Sequence, residues 1–175
     1  MKYIITYNIF ESKSIDLPKV SDLTIVKIST IEGKNKWSES KDKLVHMILD
    51  LGEWENFPSN KIPMFYQNIK KYLPSMKDHR CSEGRKNGFF YRVKLGTWLG
   101  HITEHIALEL QTLAGYDTGF GRTRQTKKKG EYNVIFNYED KKMGVKSAKL
   151  ALQVVKDLIE NKDPNIDSIV KKLKN

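Results

Sequence analysis

The chain has 175 residues, 39% hydrophobic and 30% charged, with 31 Lys and Arg against 21 Asp and Glu for a formal charge of +10. That length predicts one domain, or one domain with a short appendage, large enough to bury a core without staples. A single cysteine, Cys81, excludes an internal disulfide, no apolar run approaches the ~20 residues needed to span a bilayer, and the N-terminus lacks a signal-peptide cleavage pattern. A cytoplasmic protein without a membrane partner is expected.

The first β-branched and aromatic run, Tyr3 to Phe10, reads as a strand, and Leu23 to Ser29 as a second. Ile31 to Ser40 is polar and contains Gly33, so a loop is expected. Leu44 to Leu51 is apolar, stops at Gly52, and reads as a strand. After Pro58-Ser59-Asn60, the residues Ile62, Phe65, Tyr66, Ile69 and Leu73 recur at helical spacing between Pro63 and Pro74. His79 to Gly88 is a polar loop, and Phe89 to Leu95 a short helix. The central helix runs from about Thr97 to Ala114, stopped by Gly115. Its apolar stripe is Leu95, Leu99, Ile102, Ile106, Leu110 and Leu113. Gly115 to Gly130 reads as a second polar loop with four glycines, Tyr132 to Tyr138 as a strand, and Ala148 to Ile159 as an amphipathic helix. Beyond Pro164, Ile166 to Leu173 forms a last short helix. Together these predict an α+β domain with a mixed or antiparallel sheet packed with helices. Residues 1–162 would be the domain and 163–175 a C-terminal helix or linker.

The chemistry concentrates on the central helix. His101 and His105 are four residues apart and share one helical face. Two imidazoles at that separation reach one tetrahedral ion about 2 Å from each. Glu104 completes an H-x-x-E-H pattern, which occurs in a class of zinc peptidases. Neutral imidazoles leave the ion positive and acidify its water, and a neighbouring carboxylate takes that proton and returns it to the leaving amine. Zn2+ or another divalent metal is therefore the expected cofactor, with Glu104 as the general base. A third ligand is required. Glu109 is one candidate, either as a direct ligand or as a brace holding His105 Nδ1. The brace is favoured by a straight helix, since positions 101 and 109 lie about 12 Å apart along the axis. His79, Cys81 and Glu131 are the other candidates. A bland reading, in which the paired histidines merely hydrogen-bond or sit exposed, stands beside this one.

Gly119-Phe120-Gly121-Arg122-Thr123-Arg124 is a glycine-rich turn with two guanidiniums, which suit carboxylates or phosphates. It lacks the Walker spacing. Arg122, Arg124, Arg80 and His79 are the expected substrate-binding residues. A catalytic role for Cys81 is the weaker reading, because no Asn or Asp partner can be placed. Apart from Lys127-Lys128-Lys129 and Lys171-Lys172 with Lys174, the basic residues are dispersed. No nucleic-acid module signature accompanies them, so nucleic acid is not an expected partner.

The stretches LDLGEWENFPSNKIPMFYQNIKKYLPSMKDHRCSEG, GFFYRVKLGTWLGHITEHIALELQTLAG, GFGRTRQT and GEYNVIFNYED closely resemble the N-terminal domain of the cyanophycin synthetase family, from about Lys36 to Glu160. The resemblance implies a domain that holds cyanophycin, a poly-aspartate backbone with arginine joined to each side chain. It also implies ATP-grasp and Mur-ligase-like domains as partners, neither of which the sequence contains, and hence an excised domain or a free-standing relative. In many members the domain carries a metallopeptidase-like site that cuts the polymer into primers, and His101, Glu104 and His105 match it. Members without these residues would only bind, so a non-catalytic polymer-binding module is the alternative. The chain departs from the family's Gly-Pro-Asn-Tyr-Trp-Ser at Gly33-Lys34-Asn35-Lys36-Trp37-Ser38. It departs again at Gln125, where the family often has Glu.

Overall fold

The structure is a computed structural model and describes residues 16–175; the strand expected at Tyr3 to Phe10 lies outside them. Four strands, β1 (Thr24–Glu32), β2 (Lys43–Asp50), β3 (Gly121–Gln125) and β4 (Glu131–Asn137), form one sheet in the order β1-β2-β4-β3, antiparallel throughout. Among the described residues, five α-helices accompany it: α1 (Phe65–Tyr72), α2 (Gly88–Leu95), α3 (Leu99–Leu113), α4 (Lys141–Ile159) and α5 (Ile166–Lys174). The chain is an α+β domain, as the separated strand and helix patterns indicated.

Period-two alternation sets the sheet's buried face. Val45, Met47 and Leu49 of β2 and Val134 and Phe136 of β4 turn toward the helices, and all five are fully buried. α3 packs beneath the β3–β4 hairpin, while α4 lies alongside it under β1 and β2. Leu99, Ile102, Ile106 and Leu110 fill the layer between α3 and the sheet. The expected stripe is wrong at both ends. Leu95 is 55% exposed because it ends α2, and Leu113 is 37% exposed at the last turn of α3. α5 docks through Ile169 and Leu173 against α3 and α4.

Two elements differ from the sequence reading. The Gly115–Gly130 stretch, expected to be a loop throughout, contains β3, an edge strand without an apolar run. Its order comes from pairing with β4, Arg122 opposite Ile135 and Thr123 opposite Val134. α4 starts seven residues before the expected Ala148. Asp140 caps it by accepting a hydrogen bond from Met143 N at 2.8 Å. Gly144 lies where the helix crosses the end of β4. A Cβ there would come within 2.7 Å of Tyr138 Cβ. Among the described residues no helix is long and apolar enough to cross a membrane.

Gly144→Ala forces Tyr138 and α4 apart and should destabilise the domain by about 1–3 kcal/mol, read as a lower urea midpoint at unchanged slope. A variant as stable as the parent would show that this crossing can relax freely.

Candidate metal centre

α3 carries His101, Glu104, His105 and Glu109 along one side, and all four line a cavity of about 820 Å³. The opposite walls come from the segment Ser75–Ser82 and from β3, which contributes Gly121, Arg122 and Thr123. Within this cavity Cys81, His101 and His105 present donor atoms that all lie within 4.8 Å of one another. Cys81 Sγ is 3.3 Å from His101 Nε2. The two α3 imidazoles stand nearly perpendicular, at 88° with centroids 4.7 Å apart.

Each donor is held from behind. His101 Nδ1 meets Thr97 Oγ1 at 2.9 Å, and His105 Nδ1 meets His79 Nδ1 at 2.9 Å. Phe89 of α2, itself fully buried, packs its ring 4.6 Å from that of His105 and about 6 Å from those of His79 and His101. This apolar wall strips water from the imidazoles. Burial pushes His101 down to about 4, with the Arg92 charge adding to it. His105 is held well below the usual histidine range by burial first, then by His101 and His79. Both rings are therefore neutral near pH 7, the form that offers a lone pair.

Cys81 reaches the cluster through unusual backbone. Its φ of 53° lies in the left-handed region, which costs a non-glycine residue about 1–2 kcal/mol. The start of α2 clamps the segment that carries it. Phe89 N donates to His79 O at 3.1 Å, and Gly88 sits so close that a Cβ would be 1.9 Å from the Arg80 carbonyl oxygen. Such strain, held in place by neighbours, is found at functional sites. One sulfur and two neutral imidazoles facing an open cavity fit zinc or another borderline-soft divalent ion.

Glu104 is buried beside the cluster. Burial raises its carboxyl to about 7, against the opposing effect of Thr123 Oγ1, which donates to Oε2 at 2.6 Å. Gly121 makes room for it: a Cβ at that position would lie 2.3 Å from Glu104 Oε1. Thr123 and Gly121 belong to β3, so the strand missing from the sequence reading builds one wall of the site.

Glu109 lies outside the Cys81–His101–His105 group. Its Oε2 is 2.8 Å from His79 Nε2, and its other oxygen accepts from Ser75 Oγ. His79, expected to bind substrate, has both ring nitrogens engaged by Glu109 and His105. Of the expected arginines, Arg80 and Arg122 line the cavity, whereas Arg124 is exposed on β3 outside its lining. Glu131, another candidate ligand, accepts instead from Thr126 at the β3–β4 turn. The sequence carried a signal for one missed residue: Thr97 precedes His101 by four positions. Ser75, Phe89 and Thr123 reach the site only through tertiary packing.

A sequence model described as "Cyanophycin synthase-like N-terminal domain" matches residues 46–160. Cyanophycin synthetase of Synechocystis sp. is 42% identical over 151 residues, which cover 86% of this chain and 17% of that protein. The synthetase of Geminocystis herdmanii is 43% identical with the same coverage. That of Crocosphaera subtropica is 44% identical over 138 residues, or 79% of this chain and 16% of that protein. The chain thus spans about a sixth of the length of these curated relatives.

The Glu104 environment has a measurable signature. Its folded-state pKa lies above the unfolded value, so the folded protein binds the extra proton and stability from this group is lost as pH rises from about 4.5 to about 7. In chelator-treated protein, Glu104→Gln should remove that loss. Relative to wild type the variant should gain on the order of 3 kcal/mol between pH 4.5 and pH 8, measured by urea denaturation at both pH values. An equal difference at both would mean that Glu104 titrates normally.

Proposed function

The chain belongs to the family of cyanophycin synthase-like N-terminal domains, and on that basis we propose that it binds the Asp-Arg polymer and hydrolyses its amide bonds at the Cys81–His101–His105 centre. The observation that carries this reading is that one cavity is lined together by the three donors, the Glu104 carboxyl, and Arg80 and Arg122. Paired histidines serving only as structural polar groups would not need a soft third donor in strained backbone beside them.

A zinc or similar ion bound by Cys81, His101 and His105 would supply Lewis-acid polarisation and an acidified water. The remaining work falls to the chain's own groups. Thr123 anchors Glu104 Oε2, while Oε1 has no hydrogen-bond partner among the described residues. Oε1 is then the atom that takes the proton of the attacking water and returns it to the departing amine. A carboxyl poised near 7 suits both directions of transfer at neutral pH. Arg80 and Arg122 bind carboxylates of the polymer's arginyl branches by charge-assisted hydrogen bonds. Phe89 keeps the imidazole side of the cavity dry. The short products would serve as primers for ATP-grasp and Mur-ligase-like domains, on the same chain or another.

Purified protein incubated with cyanophycin should shorten it, as read by product sizing, and a chelator should stop the reaction until zinc is restored. Glu104→Gln should lower the rate at least 10²-fold with polymer binding retained. Unchanged cleavage by Glu104→Gln, or polymer that stays bound but intact on metal-loaded wild type, would overturn the hydrolytic reading; the second result leaves a binding module. Gly121→Ala should likewise cost about 10²-fold in rate, since it displaces the Glu104 carboxyl without touching the three donors.

A further inference from the structure

A chain of hydrogen bonds behind His105 is built from residues that the proposed hydrolysis does not use. Glu109 is almost fully buried, and among the described residues it is the only carboxylate hydrogen-bonded to His79. Its Oε2 meets His79 Nε2 at 2.8 Å, and Ser75 Oγ takes its other oxygen. His79 Nδ1 then meets His105 Nδ1 at 2.9 Å.

The donor and acceptor roles along this chain are forced in turn. A carboxylate only accepts, and a neutral imidazole has one N–H and one lone pair. With a single ring proton, His79 carries it on Nε2, facing Glu109, and presents a lone pair at Nδ1. Two ring nitrogens 2.9 Å apart need one proton between them. That proton belongs to His105 Nδ1, which leaves Nε2 as the only lone pair of His105. We propose that His79, oriented by Glu109 and Ser75, is a positioning residue that locks His105 in the Nδ1–H tautomer and so presents Nε2 to a metal ion held with Cys81 and His101. At His101 the Nδ1 partner is the Thr97 hydroxyl at 2.9 Å, which accepts from an Nδ1–H when Nε2 faces the metal ion and, unlike a carboxylate, can also donate. The brace on His105 is longer, with the His79 imidazole standing between it and Glu109, one turn further along α3. Such outer partners commonly govern 10- to 100-fold of metal affinity.

This inference rests on the metal-centre reading but not on turnover. In chelator-treated protein at pH 8, long-range 1H–15N correlation spectra of 15N-histidine-labelled wild type should show His79 protonated on Nε2 and His105 on Nδ1. A His105 proton on Nε2, or an imidazolium at His79, overturns the proposal. Glu109→Ala and His79→Ala should each weaken zinc binding 10- to 100-fold in competition with a chromophoric chelator, with the far-UV circular dichroism of wild type retained. In Glu109→Ala the His105 resonances should also lose their single-tautomer pattern, a change that a merely loosened fold would not produce. Wild-type zinc affinity in a folded Glu109→Ala overturns the proposal. Expected tautomers and affinities in a protein that never cuts polymer uphold the brace and overturn the hydrolysis; the opposite tautomers in a cutting protein do the reverse.

Discussion

The cost of taking polar side chains out of water along α3 governs the centre of this domain. Twelve of its fifteen residues are buried, so helical geometry alone cannot leave its polar positions in solvent. Each unpaired buried polar group costs about 1–3 kcal/mol, and partners are recruited accordingly. Thr103 bonds back to the Leu99 carbonyl, and Gln111 donates to Ala107 and to Asn137 of β4. Glu104 is met by Thr123, Glu109 by Ser75 and His79, and His101 by Thr97. These partners come from β3, from the segment after α1 and from the turn before α3, so burying one helix fixes where those three pieces of chain must go.

The same burial sets the charge state of the site. Two imidazoles and a carboxyl share a small space, and desolvation is the largest influence on each. It pushes the histidines down and the carboxyl up, all three toward neutrality, since burial disfavours any charged form. The hydrogen bond from Thr123 opposes this at Glu104 and loses. A helix with the same His and Glu spacing on an exposed face would carry ordinary pKa values, and its histidines would compete with protons near pH 6.5. Burial under Phe89 thus turns a common spacing into a set of available lone pairs.

The third donor is brought in by backbone rather than by helical register. Cys81 lies twenty positions before His101 in a polar segment, and it approaches only because the chain adopts a left-handed turn there. That conformation is unfavourable in isolation. It persists because α2 begins immediately behind it, with Gly88 pressed on the Arg80 carbonyl and Phe89 tied to His79. One short helix therefore provides both the hydrophobic wall over the imidazoles and the clamp that aims the sulfur. The family to which the chain belongs gives this arrangement its setting, a domain that accounts for about a sixth of the related synthetases.

Local pattern alone determined α3, the central strands β2 and β4, and the common face of His101, Glu104 and His105, because periodicity and i,i+4 spacing depend only on neighbouring residues. Cys81 was visible as a possible ligand but not distinguishable from His79, Glu109 or Glu131, since spacing has no reach beyond its own helix. β3 escaped notice because an edge strand such as Gly121–Gln125 takes its order from the partner it pairs with, not from its own composition. The early start of α4 escaped for a related reason: Gly144 breaks an isolated helix but suits one that must cross Tyr138 closely. Tertiary structure alone decided that Glu109 reaches His105 through His79, that Thr123 and Gly121 hold Glu104, and that the imidazoles are dry. Each of these depends on which segments meet across the core, and on the water that leaves when they do.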